Sequence, residues 1–118
     1  MNKFNARKTV VNGIKFDSKK EAERYKELKL LEKQGKIKDL ETQPKFLLQG
    51  KFRCRGKTHR EISYYADFMY VDCKTGDKIV EDVKSKATIT DVYRIKKKLF
   101  LNLYGDKLIF FENFGGKK

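Results

Sequence analysis

The sequence of 118 residues has few of the side chains from which small proteins build disulfides or zinc sites. It contains two cysteines, Cys54 and Cys73, and one histidine, His59. A structural zinc site takes four ligands, and these three residues show neither CxxC nor HxxxH spacing. With no export signal in the sequence, a structural disulfide is not expected either. Zinc-finger and disulfide-scaffold classes are therefore disfavoured.

Long apolar runs are also missing. No stretch approaches the roughly 18 apolar residues of a membrane span. The first sixteen residues, MNKFNARKTVVNGIKF, lack the apolar core of a secretory signal. We therefore expect a cytoplasmic protein that does not enter the membrane.

Negative charge is scarce beside positive charge. Lys and Arg total 29 against 16 Asp and Glu, a net charge of +13, while hydrophobic residues make up 39% and aromatic residues 13%. This apolar content is enough for one folded domain over residues 1–118, and we predict a core at about 16–112 and a frayed tail at 113–118. The surplus charge favours a polyanionic partner, with nucleic acid as the first candidate.

Local signals predict most of the secondary structure. Asn12-Gly13 between β-prone residues is typical of a type I′ hairpin turn. Ser18 and Glu21 form a capping-box pattern that begins a helix, and Gly35 should end it. The predicted core positions of this helix are Ala22, Tyr25, Leu28 and Leu31.

Three longer strands, at 46–54, 60–71 and 78–84, follow a short one at 37–40. A second helix should begin at Thr90 or Asp91, end at Gly105 and bury Val92, Ile95, Leu99 and Leu103. The apolar run 108–111 is typical of a strand covered on both faces. The helix between the last two strands implies a crossover that makes them parallel. The predicted fold is therefore α/β (α+β), a mixed sheet of order αβββαβ flanked by helices and preceded by an N-terminal β-hairpin.

Two acids occupy unexpected positions on these strands. Asp67 interrupts the face that carries Tyr65 and Met69, and Asp82 lies on the same side of the next strand as Lys84. An ionised side chain on a central strand is costly to bury without a partner. Carboxylates on neighbouring strands are suited to binding Mg²⁺ beside a phosphate, and Lys84 could hold the attacking water.

Two alternatives stay open from the residues alone. The first is an ordinary salt bridge between Lys84 and one aspartate, without catalysis. The second concerns Glu81, which competes with Asp82 as a ligand. Strand alternation sends Glu81 to the opposite face, so it is the weaker candidate unless a bulge shifts the register.

Asp67 followed, after fourteen intervening residues, by Asp82-Val83-Lys84 resembles the Asp…(Asp/Glu)-X-Lys signature of the PD-(D/E)XK nuclease superfamily. Four blocks more closely resemble small phage and prophage proteins catalogued as a domain of unknown function within that superfamily. The blocks are 16–25 (FDSKKEAERY), 43–46 (QPKF), 65–68 (YADF) and 80–84 (VEDVK). The resemblance runs over roughly residues 3 to 112, and the residue before the first aspartate is Ala66 where the superfamily signature has proline.

The resemblance implies a restriction-endonuclease-like core and an Mg²⁺-dependent DNA endonuclease, with Mn²⁺ as a substitute. It implies that Asp67 and Asp82 are metal ligands, that Lys84 is the catalytic lysine, and that Glu21 is the first-helix acid that completes the site. Glu21 also satisfies the capping box, which would give it a purely structural role. Ala66 is a common variation that leaves the metal-site prediction standing.

Basic residues near the second helix are candidates for contacts with DNA phosphates: Lys86, Arg94, Lys96, Lys97 and Lys98. A solvated helix face is the alternative explanation for them. Weaker candidates are Lys19, Lys20, Arg53, Arg55 and Lys57.

The leading hypothesis is a phage-encoded endonuclease in the host cytoplasm, acting on branched DNA such as Holliday junctions, and paired cuts would favour a homodimer. The alternatives are a non-catalytic nucleic-acid-binding protein of phage replication or packaging and, less favoured, a ribosome-associated basic protein.

Overall fold

The computed structural model describes residues 9–115 of the chain. Within these residues, two helices and ten strands make a mixed α+β fold. In chain order the elements are β1 (Thr9–Val11), β2 (Ile14–Phe16), α1 (Lys19–Lys33), β3 (Ile37–Thr42), β4 (Lys45–Gln49), β5 (Phe52–Cys54), β6 (Lys57–His59), β7 (Ile62–Tyr65), β8 (Phe68–Asp72), β9 (Lys78–Val83), α2 (Asp91–Tyr104) and β10 (Ile109–Asn113), with a 3-10 turn at Lys86–Thr88 before α2.

Local chemistry sets the ends of the first elements as predicted. Asn12 and Gly13 take positive φ angles of 53° and 80° in the turn that joins β1 to β2. The Ser18 hydroxyl accepts a hydrogen bond from the Glu21 N–H at 3.1 Å and caps α1. Gly35, with a φ of 77°, follows the last turn of the helix.

The main sheet has the strand order β10-β9-β8-β3. β8 is antiparallel to both of its neighbours, β3 and β9, whereas β9 and β10 are parallel because the chain crosses over through α2. The predicted crossover is therefore confirmed. Asp82 on β9 lies opposite Glu112 on β10 in this register.

In chain order, β3 is the first strand of the main sheet, and the sequence predicts it only as a short strand at 37–40. The predicted strand 46–54 divides into β4 and β5, and the predicted strand 60–71 divides into β7 and β8. β4 pairs with β7, and β5 pairs with β6, outside the main sheet. The division at Ala66 and Asp67 arises because their N–H groups bond to different elements: Ala66 to the Pro44 carbonyl, and Asp67 to the Glu81 carbonyl of β9.

Two hydrophobic clusters form the core. The first, around α1, contains Phe16, Ala22, Tyr25, Leu28, Ile37, Phe68 and Tyr70. The second, around α2 and the β4–β7 pair, contains Phe46, Leu48, Tyr64, Ala66, Val80, Tyr93 and Phe100. Phe68 and Val80 belong to different clusters, so α1 and α2 cover opposite faces of the main sheet.

The predicted buried face of α2 is wrong. Val92, Ile95, Leu99 and Leu103 are exposed, Val92 by 62% and Ile95 by 58%. Tyr93 and Phe100 are buried, and Tyr104 packs beside them. The exposed aliphatic residues and the buried aromatic residues both follow helical spacing. The aromatic residues are the ones that pack, and the Phe100 ring meets the Phe46 ring edge-on, with 4.9 Å between the ring centroids. The α2 helix therefore has a buried aromatic face and an exposed aliphatic stripe.

The last strand also differs from the prediction. β10 lies at the edge of the main sheet and leaves Ile109 and Phe111 exposed, so it is not covered on both faces. Asn113, predicted in a frayed tail, ends this strand, and its carbonyl accepts a hydrogen bond from the Lys84 N–H at 2.8 Å. The rest of the predicted tail, 116–118, lies outside the described residues. Within residues 9–115, no helix is long and apolar enough to cross a membrane.

Candidate metal centre

Three carboxylates predicted from the sequence meet at one place in the fold. Glu21 comes from the first turn of α1, Asp67 from the break between β7 and β8, and Asp82 from the end of β9. Glu21 and Asp82 are only 6% and 3% exposed. Three acids from distant parts of the chain thus share one poorly solvated location.

Asp67 is held by the backbone of the neighbouring strand. Its Oδ2 accepts a hydrogen bond from the Val83 N–H at 2.7 Å, which anchors the side chain against the end of β9. Burial, followed by the negative charges of Asp82 and Glu21, raises the pKa of Asp67 to about 9. Burial first, and repulsion among the carboxylates second, therefore disfavour the ionised form of Asp67.

Glu21 contributes to the helix cap through its backbone and not through its carboxylate. Its backbone N–H donates a hydrogen bond to the Ser18 hydroxyl, a contact that does not depend on the side chain at position 21. Its side chain belongs to the acidic cluster, where burial and then the charges of Asp17 and Asp82 raise its pKa, while hydrogen bonding to Asp67 acts in the opposite direction. The capping interaction through the backbone thus leaves the carboxylate available to the cluster.

Lys84 is the cation beside Asp82. Lys84 Nζ lies 3.6 Å from Asp82 Oδ1 and 4.0 Å from the centroid of the Tyr93 ring. An ammonium over an aromatic face is attracted by the ring electrons, which limits its movement. Asp82 and Lys84 therefore lie on the same side, as the strand alternation predicts.

Tyr64 is a site residue that the sequence analysis does not identify. Its hydroxyl donates a hydrogen bond to Asp82 Oδ2. Burial, together with the charge of Asp82, raises the pKa of Tyr64, so the phenol stays protonated and remains a donor. The only signal in the sequence was its position three residues before Asp67, which does not reveal a contact with β9.

Glu81 lies on the opposite face and has its own partners. Its carboxylate accepts hydrogen bonds from Arg24 Nε at 2.6 Å, the Tyr70 hydroxyl at 2.6 Å and Asn113 Nδ2 at 2.8 Å. It is fully buried and its charge is balanced by the guanidinium. Glu81 is therefore separated from the acidic cluster, as alternation along β9 predicts.

The donor set fits a hard divalent cation by its chemistry. Mg²⁺ and Mn²⁺ take carboxylate oxygens, and a cation between Asp67 and Asp82 would relieve the repulsion that raises the pKa of Asp67. In residues 9–115, however, no three His, Cys, Asp or Glu side chains already have the arrangement of a metal site. The cluster therefore has the charge and ligand type for a metal but lacks a preformed set of three ligands.

The basic candidates are distributed unevenly around this cluster. Lys86 and Arg94 line one surface cleft together with Lys20, Ser85, Ile89 and Phe114. Lys97 is directed elsewhere, since its Nζ pairs with Glu112 at 2.9 Å. Lys98 is exposed on α2, and Lys96 is half-buried.

Lys20 has a structural contact in this cleft. Its Nζ donates hydrogen bonds to the carbonyls of Lys84 at 2.9 Å and Phe114 at 2.8 Å. It thereby ties the first turn of α1 to the segment after β9 and to the segment after β10.

Comparison with known proteins identifies a family without adding an activity. Residues 1–112 match the model of a family described as protein of unknown function (DUF1064). No curated protein and no solved structure matches the chain. Because the match covers most of the chain, this protein belongs to the family of unknown function DUF1064.

Proposed function

We propose that this protein is a metal-dependent DNA endonuclease of the PD-(D/E)XK type that hydrolyses phosphodiester bonds. The observation that carries the proposal is the convergence of Glu21, Asp67 and Asp82 beside Lys84. Buried acids that raise one another's pKa values in this way are typical of functional sites. A purely structural role would instead give each carboxylate a cation, as Glu81 has in Arg24.

Asp67, Asp82 and Glu21 are the residues that would hold the cation, with Mg²⁺ as the proposed metal and Mn²⁺ as a substitute. When bound, such an ion supplies Lewis-acid stabilisation of the charge that develops on the phosphate oxygens. Tyr64 and the Val83 N–H orient the two aspartates and leave them less free to turn away.

Lys84 is proposed to act on the reacting atoms. Its ammonium, held between Asp82 and the Tyr93 ring, can donate a hydrogen bond to the attacking water or to a non-bridging phosphate oxygen. The water oxygen forms a bond to phosphorus, the opposite P–O bond breaks, and the leaving oxygen takes up a proton. Hydrolysis balances with water alone, so no further co-reactant is needed.

The cleft of Lys20, Lys86 and Arg94 supports a nucleic acid as the substrate, because its cations line one surface and Lys20 contacts the Lys84 carbonyl. Lys96 and Lys98 extend the positive charge along α2, whereas Lys97 is paired with Glu112. We propose DNA with branched structure, such as a Holliday junction, as the substrate, and a homodimer as the form that makes paired cuts.

A second candidate is a non-catalytic nucleic-acid-binding protein of phage replication or packaging that keeps the nuclease fold. It is favoured by one observation, the lack of three ready-made metal ligands in residues 9–115. The two candidates share the basic surface and differ in whether Asp67 and Asp82 bind metal.

A cleavage assay separates the two candidates. Purified protein is incubated with Mg²⁺ or Mn²⁺ and labelled linear, flapped and four-way DNA, with EDTA as the metal-free control. The nuclease proposal expects metal-dependent products that disappear with Asp82→Ala. If wild type binds these DNAs but cleaves none, or if Asp82→Ala cleaves as well as wild type, the enzyme assignment is wrong.

Glu21→Gln tests the two roles of the first-helix acid. Removing the charge should abolish cleavage without a change in folding, because the cap uses the backbone N–H of residue 21. Ser18→Ala is the matched control, since it removes the cap at a cost of about 1 kcal/mol in stability but should leave cleavage intact at a temperature below unfolding. Cleavage by Glu21→Gln at the wild-type rate would restrict Glu21 to the structural role.

A further inference from the structure

The strands β5 and β6 form a two-stranded ribbon that stands apart from the main sheet. Arg55 and Gly56 join them in a tight turn with φ angles of 51° and 78°. Within the described residues, β5 and β6 pair only with each other. Every residue from 49 to 62 is exposed. We call residues 51–60 the basic ribbon.

The basic ribbon carries charge of one sign. It contains Lys51, Arg53, Arg55, Lys57 and Arg60 and no acidic residue. The next acid along the chain, Glu61, pairs with Lys45 at 2.8 Å. Five cations on ten exposed residues therefore make a concentrated positive surface without a fold-stabilising role for most of them.

Contacts inside the ribbon hold its shape without a core. Phe52 stacks on His59 across the strands, with ring centroids 4.8 Å apart and planes at 14°. The Arg53 guanidinium donates to Thr58 Oγ1 at 3.2 Å and to the Gly56 carbonyl at 3.1 Å. In contrast, no hydrogen bond or ion pair with residues 9–115 engages the side chains of Arg55, Lys57 or Arg60.

We propose that the basic ribbon binds in the major groove of duplex DNA and anchors the protein next to the position that it cuts. A major groove about 12 Å wide admits a two-stranded ribbon, whose strands lie about 4.8 Å apart. Arg55 at the turn, Lys57 on β6 and Arg60 just after it then face the phosphates that border the groove. The inference rests on the proposed function in taking DNA as the partner, but it does not require cleavage.

The ribbon is connected to the acidic cluster through the pair β4–β7. Tyr64 on β7 donates a hydrogen bond to Asp82, so the base of this projection touches the candidate site. Arg55 lies ten residues before Tyr65, a reach of at most about 33 Å at roughly 3.3 Å per residue. That reach is close to one turn of B-DNA, about 34 Å. The ribbon should therefore contact the duplex within one helical turn of the cut.

Binding without metal tests the anchor separately from catalysis. The triple variant Arg55→Ala/Lys57→Ala/Arg60→Ala is compared with wild type on a labelled 30-base-pair duplex in EDTA by fluorescence anisotropy at several salt concentrations. The matched control is Lys33→Ala/Lys36→Ala/Lys38→Ala, which removes the same charge from exposed positions at the end of α1 and the start of β3. Circular dichroism melts check that both variants fold.

We expect the ribbon variant to bind at least roughly 10-fold more weakly at low salt and the slope of log K against log salt to fall by about 2 to 3, as expected for three lost phosphate contacts. The control should change affinity less than about 3-fold. The loss should be smaller on a single strand of the same sequence, which has no groove.

Three results would overturn the anchor: equal losses for the two variants, equal losses on single and double strands, or tighter binding to duplex RNA than to duplex DNA. Each leaves the nuclease proposal standing if wild type still cleaves. Conversely, a wild type that binds through the ribbon and cleaves nothing rejects the nuclease and supports the anchor.

Discussion

Neighbouring residues on β9 experience opposite electrostatic environments. Glu81 faces the α1 side of the main sheet, where Arg24, Tyr70 and Asn113 donate to its carboxylate. Asp82 points to the other side of β9, where Asp67 and Glu21, the latter from the first turn of α1, add negative charge and Lys84 is a nearby cation. Both acids are buried, yet only the first has a complete set of balancing donors.

This contrast separates a structural acid from the acids that we propose bind a metal. A buried carboxylate that is paired and hydrogen-bonded keeps the fold unique and has no remaining capacity for a ligand. A cluster of carboxylates lowers the stability of the metal-free fold, and a cation removes that cost. Burial alone would not have distinguished Glu81 from Asp82, whereas their partners do.

Asp82→Asn should give the largest effect. The amide keeps the size of the side chain and removes the charge that the proposed metal needs. We expect cleavage to fall at least roughly 10³-fold, which corresponds to about 4 kcal/mol in the barrier. Single-turnover rates at saturating protein measure this loss, and the melting temperature in EDTA should not fall. A variant that loses both folding and cleavage would give Asp82 the structural role of Glu81.

Glu81→Gln should mainly lower the stability of the fold, in contrast to Asp82→Asn, which should mainly lower cleavage. The substitution leaves the Arg24 guanidinium largely buried without its carboxylate, so we expect the free energy of unfolding to fall by about 3 kcal/mol in urea titrations. Glu27→Gln is the control, because it removes the exposed partner of Arg24 and should cost less than about 1 kcal/mol. Equal stability of the two variants would contradict the distinction between the two faces of β9.

Asp67→Asn should give the smallest effect, seen in the metal-free protein. The folded pKa of Asp67 is about 9, above its unfolded value, so the protonated form stabilises the fold. This contribution is complete below about pH 4 and is lost as the pH rises through 9. Melts in EDTA should therefore show Asp67→Asn more stable than wild type by about 1 kcal/mol at pH 9, roughly 4 °C, and no difference at pH 4.

Magnesium sharpens the same comparison. Added Mg²⁺ should raise the wild-type melting temperature at pH 8 and should do so less for Asp67→Asn, because binding to the folded state stabilises it. If the difference in melting temperature between wild type and Asp67→Asn in EDTA does not change with pH, Asp67 does not experience repulsion from Asp82 and Glu21.

The features that the sequence predicted best depend on a few adjacent residues. The turn at Asn12-Gly13 and the caps at Ser18 and Thr90 require only local hydrogen bonds and backbone angles. The shared side of Asp82 and Lys84, and the opposite side for Glu81, follow from the two-residue repeat of a strand. Of the candidate cluster, Asp82 and Glu21 lie on such regular elements, whereas Asp67 lies at the break between β7 and β8, and the resemblance to the nuclease signature is what grouped the three acids.

The wrong predictions concern helices and strands that could pack or pair with more than one part of the chain. Two faces of α2 have helical spacing, and the sequence does not reveal that the aromatic face meets Phe46 and Tyr64. The long strands 46–54 and 60–71 divide because β4 and β7 pair away from the main sheet, which depends on hydrogen bonds to Pro44 and Glu81. The contact between Tyr64 and Asp82 was missed for the same reason.

By itself the sequence determined where the chain turns, where the helices begin and end, and which side of β9 each acid occupies, because these depend on backbone geometry over a few residues. Only the tertiary structure decided that Glu21, Asp67 and Asp82 converge, that Tyr64 joins them, and that the basic ribbon stands free of the sheet. Contacts between distant segments depend on which surfaces bury one another best, and that choice is made by the whole chain at once.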